Sequence, residues 1–168
     1  MTGQSRMGTK SFCCRSPMEA EKTDTTLAAR VHLVSREGEV ELLTLRKRHP
    51  GLYIQLLTMA RIPARQAIAM VGQQSLRAAK TGALLATKPE VDLLLRMSGT
   101  TQIAVAIQRS GYRARGKKVL VAVGPRGGLE RLRKQLSGDP GYDILEDGEM
   151  GAEDLAFVEK AALLGTRP

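Results

Sequence analysis

The run Val119-Leu120-Val121-Ala122-Val123 places five apolar residues in succession, so a strand built from it offers no polar side chain on either face. Such a strand reads as fully buried. Leu27 to Val34 alternates loosely and reads as a first strand, Tyr53 to Met59 as a second, and Asp143-Ile144-Leu145 as a short last one. Helical patterns lie between them. Glu39 to Arg48 has helical spacing at Val40, Leu43 and Leu45, a basic end, and a stop at His49-Pro50-Gly51.

The centre of the chain is helical. Pro63 opens a helix that runs to about Lys80, with Ala64, Ala67, Ile68, Val71, Ala78 and Ala79 on one side and Arg65, Gln66, Gln73, Arg77 and Lys80 on the other. Gly82 closes it. Thr87-Lys88-Pro89-Glu90 has the form of a capping box with Thr87 as N-cap, opening a helix over Pro89–Ser98. Gly99 suits its end, and Thr100 or Thr101 can cap a further helix ending at Gly111. Tyr112 to Lys118 reads as a basic loop. After the buried strand, Gly124-Pro125-Arg126-Gly127-Gly128 leads into a helix over Leu129 to Leu136, and Glu153 to Leu164 forms a closing helix. The pattern predicts an α/β (α+β mixed) fold: one compact domain over 27–168, with a small mixed sheet and a helical centre. Residues 1–26 are polar and aperiodic and are expected to form a disordered tail, with Met7 and Met18 as alternative starts.

No stretch of about 18 apolar residues is present, so no membrane helix is expected. Cys13 and Cys14 are adjacent and lie in the tail, which suits a reducing cytoplasm and needs no disulfide. Charge is more informative. Residues 61–118 hold 11 Lys/Arg against 2 Asp/Glu, an excess equal to the whole chain's net +9. The remaining 15 basic and 15 acidic residues cancel. Positive charge concentrated in one third of a chain points to a polyanionic partner.

Candidates for chemistry are few. The two histidines, His32 and His49, have no plausible nucleophile or orienting carboxylate beside them, and no folded-region cysteine supports a zinc site. Glu146, Asp147, Glu149, Glu153 and Asp154 read as a solvated acidic loop feeding a helix N-terminus rather than a cation site. Gly124 to Gly128 matches neither phosphate-binding glycine motif and reads as a tight βα turn. Catalysis, cofactor and metal are not expected. Pro89 to Gly111 has the outline of a DNA-reading helix-turn-helix, although Gln102, Gln108 and Arg109 form a thin set for reading bases. With Tyr 3, Phe 2 and no Trp, a stacking platform for bases is disfavoured.

The run Pro89-Glu90-Val91-Asp92-Leu93-Leu94-Leu95-Arg96-Met97-Ser98-Gly99-Thr100-Thr101-Gln102-Ile103-Ala104-Val105-Ala106-Ile107, followed by Gly111, resembles the signature of the small accessory subunit of the KEOPS complex (the TPRKB-like family). The similarity extends over about Leu27 to Leu164 and suits an archaeal-type member. The resemblance implies a mixed α/β fold without an active site. It implies binding to the small atypical protein kinase subunit of KEOPS, and through it to the tRNA-modifying ATPase subunit. That assembly makes threonylcarbamoyladenosine beside the anticodon. In archaeal members the resemblance further implies tRNA binding, notably at the single-stranded 3′ CCA end.

The residue pattern supplies candidates for such a surface. Arg65, Gln73, Arg77 and Lys80 share a helix face; Lys88, Arg96 and Gln102 sit near the following turns; Arg113, Arg115, Lys117 and Lys118 line one loop. Arg96 suits an internal carboxylate pair equally well. A stable protein partner needs apolar surface, and the closing helix is more apolar than one face requires. Leu155, Val158, Ala162, Leu163 and Leu164 are therefore the partner-binding candidates, with core packing as the alternative.

Overall fold

The computed structural model describes residues 27–34 and 42–166; the expected tail over 1–26 and the helical turn at 39–41 lie outside them. Among the described residues four strands form one sheet: β1 (Leu27–Val34), β2 (Tyr53–Met59), β3 (Lys117–Pro125) and β4 (Tyr142–Ile144), in the order β2-β3-β1-β4. Among the same residues six helices accompany them: α1 (Leu42–Arg48), α2 (Arg65–Thr81), α3 (Pro89–Ser98), α4 (Ile103–Ser110), α5 (Arg126–Leu136) and α6 (Ala152–Leu164).

The apolar run holds the position its composition demands. It is the core of β3, paired with β1 on one side and β2 on the other. Alternation divides its side chains between two cores. Val119, Val121 and Val123 face one, with Val31 and Leu57 and with Ile68, Val71, Leu93, Leu95, Ala106 and Ala161 from the covering helices. Leu120 and Ala122 face the other, with Ile54, Leu56, Leu45, Leu129 and Leu132. Helices α2, α3, α4 and α6 thus cover one face, and α1 and α5 cover the other.

All pairings are antiparallel, so in strand direction the sheet is not mixed. β1 and β2 run parallel to each other with β3 inserted between them, and β3 and β4 run parallel with β1 between. This is the interleaved split β-α-β connectivity of ferredoxin-like folds. Here helices α2, α3 and α4 replace the simple turn between the second and third strands, and they close the face which that arrangement leaves open. The β2 edge is blunted by Arg46, whose Nε donates to Ile54 O at 2.9 Å and whose Nη2 donates to Gln55 Oε1 at 2.7 Å.

The local expectations hold with specific exceptions. α3 ends at Gly99 in the left-handed conformation (φ 64), where its N–H bonds back to the last turn. The Thr87 capping box does not form. Lys88 is the N-cap and no side chain caps it, because Pro89 sets the first helical residue one position later. Lys117 and Lys118 belong to β3, not to the preceding loop, because β2 offers backbone partners at Thr58 and Met59. β3 passes directly from Pro125 into α5 at Arg126, the tight βα junction expected of the glycine-rich stretch. Among the described residues no helix is long and apolar enough to cross a membrane.

Candidate nucleic-acid interface

The basic candidates separate into three sets. The first, Arg96 and Lys118, is structural. Arg96 is 4% exposed. Its Nε donates to Asp92 Oδ2 at 2.9 Å and its Nη1 to Ala161 O at 3.2 Å. Asp92 also accepts from Ser75 Oγ at 2.5 Å and from the Leu85 N–H at 2.7 Å. The cluster ties α2, α3 and α6 together, so Arg96 is withdrawn from the binding surface. Lys118 is withdrawn as well: it lies within β3 and is 6% exposed.

Arg77, Lys80 and Lys88 form the second set. All are exposed, and none of their charged side-chain groups has a hydrogen bond or ion pair among the described residues. The end of α2 and the start of α3 are adjacent, because the Ala83 N–H bonds to Ala78 O and the Leu85 N–H reaches Asp92. Arg65 and Gln73, on the same helix, are only half exposed, and Arg65 Nε donates to Asp147 Oδ1 at 2.7 Å.

Arg113, Arg115 and Lys117 form the third set, exposed in and after the loop that follows α4. The Arg113 N–H donates to Thr58 Oγ1 at 2.8 Å, while its guanidinium bonds to Gln108 O. This loop therefore sits at the end of the sheet where β2 finishes. The chain leaves β2 beside Lys117 and travels back along the sheet in α2, so that Gly72 lies over Val123 and Ala29. Val123 is about 20 Å from Lys117 at ~3.3 Å per strand residue. The second and third sets consequently occupy opposite ends of the molecule. Gln102 is exposed at the N-cap of α4.

Counting charge along the chain missed a further basic feature. Arg48, His49, Pro125, Gly128 and Arg131 line a small cavity of about 140 Å³ at the N-terminus of α5. Its arginines lie outside residues 61–118, the stretch in which the charge count found the excess. The glycine-rich turn was the available signal, and its geometric reason is close packing: a Cβ on Gly128 would lie 2.9 Å from Leu52 Cδ2.

The partner-binding candidates also divide. Leu164 is buried and Val158 packs against the larger core, so these two serve the fold and are withdrawn. Leu155, Ala162 and Leu163 are exposed. α4 adds Ile103 (50% exposed) and Ile107 (56%), an apolar surface that periodicity alone would have assigned to the core.

Three of the five carboxylates of the late acidic cluster have structural partners. Asp147 holds Arg65, Glu153 Oε2 lies 3.1 Å from Arg61 Nε, and Asp154 Oδ1 lies 3.0 Å from Arg61 Nη2. The Gly151 N–H bonded to Asp154 holds that carboxyl below its ordinary range, assisted by the Ala64 N–H and Arg61. Among the described residues no group of three or more His, Cys, Asp or Glu is arranged to hold a metal ion. His49 Nε2 shares a hydrogen bond with Gln135 Oε1 at 2.9 Å, and His32 is buried in β1. No protein-family model matches the chain, and no curated protein matches it.

Proposed function

We propose that this chain is a non-catalytic, cytoplasmic KEOPS accessory subunit of archaeal type that binds tRNA and the small atypical kinase. In that role it supports threonylcarbamoyladenosine modification next to the anticodon. The observation that carries the tRNA part is the set of exposed, unpaired cations: Arg77, Lys80 and Lys88 at one end, with Arg115 and Lys117 at the other. Cations held in no internal pair release counterions when they meet phosphates, which is the main source of nucleic-acid affinity. Two sets at opposite ends of the molecule suit a ligand with both a single-stranded end and a backbone beyond it. The assignment to KEOPS rests on the resemblance of Pro89 to Gly111.

In the kinase part, the exposed Leu155, Ala162 and Leu163 of α6 supply the apolar contact. A DNA-reading helix-turn-helix over 89–111 has less support. α3 is buried from Asp92 to Met97, and α4 presents Ile103 and Ile107 beside Gln102, Gln108 and Arg109, few donors for base edges.

Binding of tRNA with and without its 3′ CCA, alongside duplex DNA, tests the reading. Loss of affinity on removing CCA, with weaker binding to the duplex, is the expected result. Equal affinity for all three ligands contradicts it.

A further inference from the structure

β4 is the outer strand beside β1, so one edge of the sheet ends on it. The Leu145 N–H donates to Val31 O at 3.2 Å. Backbone groups alternate in direction along an antiparallel strand. Asp143 and Leu145 therefore turn theirs toward β1, and Ile144 turns its N–H and C=O away. Among the described residues no hydrogen bond meets those two outward groups.

A cavity of about 970 Å³ lies along this edge. Leu136, Tyr142 and Ile144 line it from one face of the sheet, and Leu33, Asp143 and Leu145 from the other. A hollow reached from both faces lies past the rim of the sheet, where a further strand would run ~4.8 Å from β4. The two edges of the sheet differ. Arg46 closes the β2 edge, whereas β4 presents Ile144, 49% exposed, at its open side.

Short length and charged neighbours normally guard such an edge. Here the free charge is of one sign. Asp143, Glu146 and Glu149 are exposed, and their carboxylates have no hydrogen bond or ion pair among the described residues. Arg133, at the same cavity, has its Nε 3.4 Å from Glu130 Oε2. A second copy of the chain would bring the same carboxylates to the edge, and like charges opposed across strands destabilise pairing. RNA would add phosphates to them. A cationic polypeptide complements them.

We infer that the β4 edge accepts an extended, cationic segment of a partner protein as an added antiparallel strand. The segment exchanges backbone hydrogen bonds with Ile144. Its residue opposite Ile144 is apolar and packs on that side chain. The residues on either side project to the face of Asp143 and are Lys or Arg. This edge is separate from the basic sets proposed for RNA, and the inference does not depend on that reading.

The probe is the labelled peptide acetyl-Lys-Val-Lys-Val-Lys-Val-Lys-amide, titrated with the full-length protein and followed by fluorescence anisotropy. Saturable binding is expected. Replacing its lysines by glutamates should weaken binding at least about tenfold. N-methylating its valines, whose N–H groups face β4, should do the same, while N-methylating the two inner lysines, whose N–H groups face away, should be tolerated. In the protein, Ile144→Pro deletes the outward N–H and spares the bonds to β1, and should weaken binding at least about tenfold. The exposed pair Asp143→Lys and Glu146→Lys should do so as well, and decides the matter if the proline variant does not fold. Absence of binding, equal affinity for the glutamate or the N-methylvaline peptide, or unchanged affinity in the charge-reversed pair each overturns the proposal. A dimer in sedimentation that Ile144→Pro dissociates assigns the edge to a second copy and overturns it too.

Discussion

Asp92 accepts hydrogen bonds from a side chain of α2, from the backbone ahead of α3 and from Arg96 one turn along its own helix. A buried carboxylate satisfied in this way stabilises the fold only while its partners remain. Arg96→Ala leaves it uncompensated and should lower unfolding free energy by about 3–5 kcal/mol in urea denaturation. RNA affinity of the fraction still folded should be unchanged; a selective loss of affinity without loss of stability would return Arg96 to the binding surface. His32 makes a pH prediction at the same scale. Burial first, and the nearby Arg30 second, lower its pKa from 6.5. Well above pH 6.5 it is neutral in both folded and unfolded chains and contributes no pH dependence. As pH falls below 6.5 the unfolded chain takes up a proton that the folded chain refuses, so stability declines until the folded pKa is passed. His32→Gln should remove this part of the acid sensitivity in thermal melts taken between about pH 6.5 and 5. An identical pH profile in the variant would show that the sensitivity arises elsewhere.

At the scale of elements, most of the fold is legible in the sequence. β1 and β2 follow from alternation, and β3 from an apolar run that leaves no face for water. Gly82 and Gly99 mark helix ends because both sit in the left-handed conformation. Gly99→Ala forces a side chain into that conformation and against Lys160 Cε, 2.7 Å from the new Cβ. It should cost about 1–2 kcal/mol in urea denaturation, with an unchanged melt as the contrary result. What sequence could not show was long-range pairing. Lys118 looks like a loop cation until β2 supplies a partner for its backbone. Arg96 looks like a turn cation until Ala161, sixty-five residues later, accepts from it. Ile103 and Ile107 look like core residues because periodicity shows that a helix has an apolar side, not whether another element covers it. The closing helix shows the reverse: one of its faces is core, through Ala161 and Leu164, and another stays exposed. Truncation before Leu155 would therefore damage the fold itself. Leu155→Asp with Leu163→Asp isolates the exposed face. If that face contacts the kinase, the pair should abolish co-purification while thermal stability holds; retained co-purification moves the contact elsewhere.

For the molecule as a whole, the sheet is closed on both faces, and the excess positive charge lies at the ends of the helical layer. The linear count of charge assigned the excess to one third of the chain but could not show that its members occupy two ends, with two of the eleven withdrawn into the interior. Five exposed and unpaired cations remain: Arg77, Lys80, Lys88, Arg115 and Lys117. If about four of them neutralise phosphates, log K for tRNA should fall with log salt at a slope of ~ −3. The most direct measurement is that salt series repeated on the folded triple variant Arg77→Ala, Lys80→Ala and Lys88→Ala. Each lost phosphate contact reduces the slope by about 0.7, so the variant's slope should be near −1. A slope equal to that of the unmodified protein would contradict the placement of the tRNA surface at the junction of α2 and α3.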